Sequence, residues 1–146
     1  MQCRHILVPL DFSTDSERAL DYALELASIF QARLTLLHVM HIPVMVEVDL
    51  HAYLPKIETA ARQQIEACQQ RVQAAGLTSD MVLVRGVPFQ DIVETARDRQ
   101  VDLIVMGTHG RTGLPHAFLG SVAEKVVRLA PCPVLVTRQA ADIPQP

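Results

Sequence analysis

The sequence predicts an α/β domain: one doubly wound, five-stranded parallel sheet with helices on both faces. Three observations predict it. Short runs that are apolar at consecutive positions alternate with segments of helical period along the chain. Strands of that kind are covered on both faces, as in a parallel sheet between two helical layers. Right-handed crossovers then restrict the topology to a doubly wound sheet. The chain has 146 residues, no internal repeat and no linker-like stretch, so a single domain over 1–146 is expected.

The elements follow in order. Ile6-Leu7-Val8 is a compact first strand ending at Pro9. Residues 14–31 form a helix with Leu20, Ala23, Leu24, Ala27 and Phe30 on one face, and Thr14 with Glu17 has the spacing of a capping box. "RLTLLHV", ending at Val39, is the second strand; residues 40–54 are a longer, mixed connection. Residues 55–75 form a long polar helix with Ile57, Ala61, Ile65, Cys68 and Val72 as its buried stripe, stopped by Gly76. "MVLVRG" is the third strand, 89–99 the third helix and "VDLIVMG" the fourth strand. A glycine-bearing loop, a helix from Val122 to Leu129 and a last strand, "CPVLVTR" (132–138), complete the series. That last strand has no following helix and is expected at an edge of the sheet. The tail 139–146 is expected to fray.

Bulk properties exclude several classes. Hydrophobic residues make up 49% and charged residues 20%, the balance of a soluble globular chain. The formal net charge of -3 gives no electrostatic footprint for nucleic acid or an anionic membrane. Cys3, Cys68 and Cys132 are odd in number and set in apolar surroundings, fitting buried thiols in a reducing compartment rather than a disulfide framework. The apolar run in "MQCRHILVPLD" is too short for a signal peptide, and no segment is long enough to span a bilayer. The cytoplasm is therefore the expected location.

The stretch "GTHGRTGLPHAFLGS" holds four of the six glycines, spaced Gly107-x2-Gly110-x9-Gly120-Ser121 with Gly113 outside that pattern. It follows an apolar strand and opens onto a helix, where unpaired N–H groups and the macrodipole make an anion site. It is not a Walker loop, because G-x4-G-K-[ST] is absent, and it is not the G-x-G-x-x-G dinucleotide fingerprint. Bland readings stand beside this one. Ser121-x-x-Glu124 is also the spacing of a capping box, Asp11 suits a turn, and Arg111 suits a solvated loop.

"LIVMGTHGRTGL", the spacing to "LGSVAEKVV", the closing "APCPVLV" and the opening "HILVPLDFS" resemble the universal stress protein A-type family, from Arg4 to Arg138. The resemblance implies a Rossmann-like fold of the adenine-nucleotide α-hydrolase kind. It also implies ATP as ligand, since family members carrying G-x2-G-x9-G-[ST] are those that bind it. Carried over by position, Asp11 would contact the nucleoside, with Pro9 and Leu10 as its wall. Val39 would meet adenine through its backbone. Met106 and Gly107 would line the ribose and the phosphate entrance. Gly110 would approach the phosphates, with Arg111 beside them, and Gly120, Ser121 and Val122 would present amides and a hydroxyl. The resemblance further implies a homodimer paired through the terminal strand. One departure stands out: the family's usual D-G-S is here Asp11-Phe12-Ser13, and phenylalanine does not adopt positive φ cheaply.

No catalytic residue and no protein metal site is expected. His38 and His41 are three apart, and His109 and His116 flank the loop, but no Cys-x2-Cys or helical His-x3-His accompanies them. No G-x-S-x-G elbow exists. The expected function is a nucleotide-responsive binding protein that holds ATP, with Mg²⁺ carried by the phosphates, and changes its affinity for a protein partner with occupancy. Two alternatives remain at this point: a slow ATPase or nucleotidyl transferase, and an interaction protein acting mainly through oligomerisation.

Overall fold

In the computed structural model, residues 2–42, 50–108 and 119–138 are described. The order is β1 (His5–Pro9), α1 (Thr14–Phe30), β2 (Arg33–Met40), a short 3₁₀ turn at Leu50–Ala52, α2 (Leu54–Ala74), β3 (Ser79–Arg85), α3 (Pro88–Asp98), β4 (Leu103–Gly107), α4 (Ser121–Leu129) and β5 (Val134–Thr137). The five strands form one parallel sheet in the order β3-β2-β1-β4-β5. The chain winds outward from β1 to β3, then returns across the sheet to β4. The strand order therefore reverses between β1 and β4.

Both faces of the sheet are covered. Ile6 and Val8 of β1, Leu34 and Leu36 of β2 and Val105 of β4 pack with Ala19, Leu20, Ala23 and Ala27 of α1 and Ile65, Cys68 and Val72 of α2. Leu7, Leu37, Ile104 and Met106 pack with Ile92 and Ala96 of α3 and Ala123 and Val126 of α4 on the other face. Each fully buried Leu or Ile contributes about 1.5–3 kcal/mol relative to exposure. The inner strand β1 is buried along its whole length, whereas the edge strands β3 and β5 are half-exposed.

Several expectations shift. The α1 cap is Ser13, whose Oγ accepts from the Ser16 N–H at 3.3 Å; Thr14 lies inside the first turn, so Thr14 and Glu17 make no capping box. Phe30 and Ile57 are 39% and 42% exposed and so fall outside the buried stripes of their helices. β4 starts at Leu103 and not at Val101, since Asp102 Oδ2 is occupied in accepting from the N–H groups of Arg4 and His5, at 2.8 and 3.0 Å. Its own N–H donates to the His5 carbonyl at 2.9 Å. Cys3 and Cys68 are buried and Cys132 partly so; burial pushes all three thiols above their usual pKa. The tail 139–146 lies outside the described residues.

Candidate functional site

The reversal of strand order leaves a crevice at the carboxyl ends of β1 and β4, where ligands of open α/β sheets bind. The turn leaving β1 forms one wall. Pro9 and Leu10 are buried, and the Leu10 N–H extends the ladder to the Leu37 carbonyl at 2.8 Å. Asp11 is half-buried, and its Oδ1 accepts from the Ser13 N–H at 2.9 Å and the Ser13 hydroxyl at 2.5 Å. Phe12 between them has φ 64, the left-handed conformation that its side chain disfavours. The D-F-S sequence thus takes the conformation for which glycine is the cheap choice. The Phe12 ring lies against His38, with centroids 4.5 Å apart and planes inclined by 34°. A carbonyl can only accept, so His38 Nδ1–H donates to the Leu10 carbonyl, at 2.6 Å. Val39 follows, half-buried against the α3 side of the core, one residue before β2 ends.

At the end of β4, Met106 is 5% exposed and belongs to the core. Gly107 meets the first turn of α1. A Cβ there would lie 2.8 Å from Asp15 Cβ and 2.9 Å from the Asp15 carbonyl carbon, so glycine is required by backbone packing at this position. Thr108 comes next and is buried. Its N–H and hydroxyl both donate to the Thr137 carbonyl on β5, at 3.2 and 2.5 Å. Its own carbonyl accepts from the Gly120 N–H at 2.8 Å. The two ends of the glycine-bearing loop therefore meet. Gly110, Arg111, His109, Gly113 and His116 lie outside the described residues.

Gly120 is buried and stands at the N-cap of α4 with φ -60 and ψ 155, and no side chain caps this helix. Ser121 is the first helical residue and is exposed; Val122 is half-buried. The alternative reading of Ser121 and Glu124 as a capping box fails because the serine sits one position too late, inside the helix. Glu124 instead pairs with Arg128 one turn on, at 2.8 Å. The N–H groups of the first turn, left without a side-chain acceptor, carry the positive end of the helix dipole. An anion fits there.

The structure thus gathers Pro9, Leu10, Asp11, Gly107, Gly120, Ser121 and Val122 at one end of the sheet, with Val39 one strand further. His38 and His41 diverge: His41 Nδ1 donates to the Gly86 carbonyl at 3.2 Å, not to the carbonyl that His38 holds. Gly86 itself escaped the sequence reading. It follows the last residue of β3, its N–H donates to the Met40 carbonyl at 3.1 Å, and an added Cβ would lie 2.0 Å from Asp91 Oδ2. The available signal was Gly86-x-Pro88 at a helix start, with Asp91 in reach of the glycine.

A parallel sheet of order 3-2-1-4-5, with two turns flanking its switch point and an uncapped helix start beyond one of them, defines a Rossmann-like α/β domain. Within that class the chain belongs to the universal stress protein family, whose profile matches residues 2–138. The universal stress protein YxiE of Bacillus subtilis is 33% identical over 144 residues, covering 91% of this chain and 97% of the relative. The structure of universal stress protein UspA from Lactobacillus plantarum superposes with a TM-score of 0.83 at 30% identity, covering 94% of this chain and 99% of that one. Two further structures are nucleotide complexes. A universal stress protein in complex with cAMP matches at 26% identity and a TM-score of 0.69, over 94% of this chain and 98% of the other. The Archaeoglobus fulgidus protein in complex with dAMP matches at 25% identity and a TM-score of 0.67, over 93% and 98%. Among the described residues no helix is long and apolar enough to cross a membrane.

Proposed function

We propose that this protein binds an adenine nucleotide, ATP with Mg²⁺ carried on its phosphates, and acts as a nucleotide-responsive regulatory protein of the cytoplasm. One observation carries the reading: the N-terminus of α4, without a side-chain cap among the described residues and tethered through Gly120 to Thr108 at the end of β4, lies at the same end of the sheet as Asp11 after β1. Relatives crystallised with cAMP and dAMP support it. The phosphates would take the N–H groups of Ser121 and Val122 and the Ser121 hydroxyl, with Gly110 and Arg111 of the loop beside them. Asp11 would accept from the ribose, and the Val39 backbone would meet the base. Mg²⁺ keeps several waters and needs few protein ligands, so the phosphate oxygens suffice as its anionic partners and Asp11 stays with the nucleoside.

The site is read as one that binds ATP and hydrolyses it very slowly at most. Asp11 Oδ1 is taken up by Ser13 and His38 Nδ1 by Leu10, so neither atom is placed to orient a water. We also propose a homodimer through β5, an edge strand whose Leu135 is 39% exposed and whose Val134 and Val136 are half-buried. The carbonyls of Pro133 and Thr137 point to β4, so by alternation the main-chain groups of Val134 and Val136 face outward. Of the N–H groups from Val134 to Thr137, those two serve the seam, and a second copy fits it. Calorimetry with ATP, AMP and GTP tests the ligand reading. Micromolar affinity for ATP, about -8 kcal/mol, is expected. Absence of both heat and thermal shift with any adenine nucleotide refutes it.

A further inference from the structure

The turn after β1 holds a bulky residue in a conformation that it pays to adopt. Phe12 at φ 64 places Cβ against its own carbonyl, and such a residue persists there only when its surroundings over-determine it. Phe12 packs against the core beneath α1 and α2, and the other side of its turn is held by one side chain. His38, on the neighbouring strand, donates Nδ1–H to the carbonyl of Leu10 at 2.6 Å, two residues before Phe12. Its ring is also the surface on which the Phe12 ring rests, 4.5 Å between centroids. Asp11 lies between these two anchor points, its carboxylate turned to Ser13 N–H and Oγ, and Ser13 in turn caps α1. His38 grips both sides of the aspartate without being needed to touch a ligand.

We propose that His38 is a positioning residue for the nucleoside: it clamps the Leu10 carbonyl and the Phe12 ring, holding the left-handed turn that aims Asp11. The inference rests on the reading of the crevice as an adenine-nucleotide site. In this assignment His38 acts as a main-chain clamp in its Nδ1–H form, which replaces the metal-ligand role its spacing to His41 invited. The clamp makes the D-F-S sequence workable, because glycine at position 12 would adopt the same φ with no Cβ to accommodate.

That substitution supplies the test. Affinity for ATP and thermal stability are measured on the full chain for wild type, His38→Leu, His38→Asn, Phe12→Gly and the double variant Phe12→Gly/His38→Leu. His38→Leu is expected to weaken ATP roughly tenfold, the equivalent of releasing one strained residue. His38→Asn, whose amide nitrogen stands near the place of Nδ1, is expected to recover most of that loss. With Phe12→Gly the effect of His38→Leu should shrink to less than about threefold, since the turn then holds itself. Equal weakening in both backgrounds overturns the proposal, as does a lowered melting temperature with unchanged affinity. If wild type binds no adenine nucleotide, the ligand reading fails by itself and amide exchange decides the clamp. His38→Leu must then speed exchange of the Ser13 N–H with Phe12 present and leave it unchanged with Gly at position 12; any other pattern overturns the clamp.

Discussion

Replacing Gly107 with alanine probes the junction between β4 and α1 most directly. The added methyl would sit 2.8 Å from Asp15 Cβ, 2.9 Å from the Asp15 carbonyl carbon and 3.0 Å from its oxygen. Ordinary carbon contacts are about 3.5–4.0 Å, so the clash is roughly 0.7 Å or deeper. None of the three atoms is the end of a flexible side chain. Relief requires the first turn of α1 to withdraw, while Ala19 and Leu20 just beyond it are locked in the core. Overpacking of this kind costs about 1–3 kcal/mol. For a domain of this size that lowers the melting temperature by roughly 3–10 °C. Gly86→Ala is the control: its Cβ would meet Asp91 Oδ2 at 2.0 Å, the end of a side chain that can rotate aside, so its loss is expected to be smaller. Denaturant unfolding of both variants, read as midpoint shifts at constant slope, gives the two costs. A Gly107→Ala protein within about 0.5 kcal/mol of wild type would refute the argument, and so would a larger loss from Gly86→Ala.

Three other outcomes are expected. Ser121→Pro removes the first N–H of α4 at a position where proline is tolerated, after a residue already at ψ 155, so it should keep the melting temperature yet weaken ATP about tenfold or more; retained affinity sinks the helix-start site. His5, 3% exposed, bonds Thr35 Oγ1 through Nε2 at 2.7 Å, and burial, then Arg33, hold its pKa below 6.5. The unfolded chain therefore binds the extra proton, so this contribution to stability is whole above pH 6.5 and is lost as pH falls toward the folded pKa, at no more than about 1.4 kcal/mol per pH unit. Unfolding free energies between pH 7.5 and 5.5 should fall less steeply for His5→Phe than for wild type; parallel slopes exclude His5 as the cause. Val136→Pro removes an outward N–H without touching a β4–β5 bond and should turn the dimer into a monomer by light scattering, whereas an unaffected dimer places the interface elsewhere.

The parts of the fold legible in the sequence are those written in local period. Leu20, Ala23 and Ala27 recur at helical spacing and lie on the face that α1 buries. Ile6, Leu7 and Val8 are consecutive and apolar because β1 is covered on both faces. What stayed hidden depends on partners distant in sequence. Asp102 reads as part of a strand until its carboxylate is found on the amides of Arg4 and His5. Thr108 and Thr137 look like ordinary strand formers, yet they join the glycine loop to the edge strand. The cap of α1 is Ser13 rather than Thr14, just after Phe12 turns the chain left-handed against His38 and the core. In the candidate site, glycine spacing merged two causes: Gly107 answers to the packing of α1, whereas Gly120 stands at a helix start.

The bond from Gly120 N–H to the Thr108 carbonyl has a consequence for how such a chain changes over time. It joins the two ends of the connection between β4 and α4, with Leu119 packed against the core. The entropy of closing a loop grows only slowly with its length, each doubling adding about 0.6 kcal/mol. A change of length between those joined ends is thus cheap in closure entropy. The scaffold can therefore trade one ligand for another, or abandon binding altogether, by rewriting a single peninsula. Divergence within such a lineage would concentrate there, while the isthmus of Thr108 and Gly120 stays put.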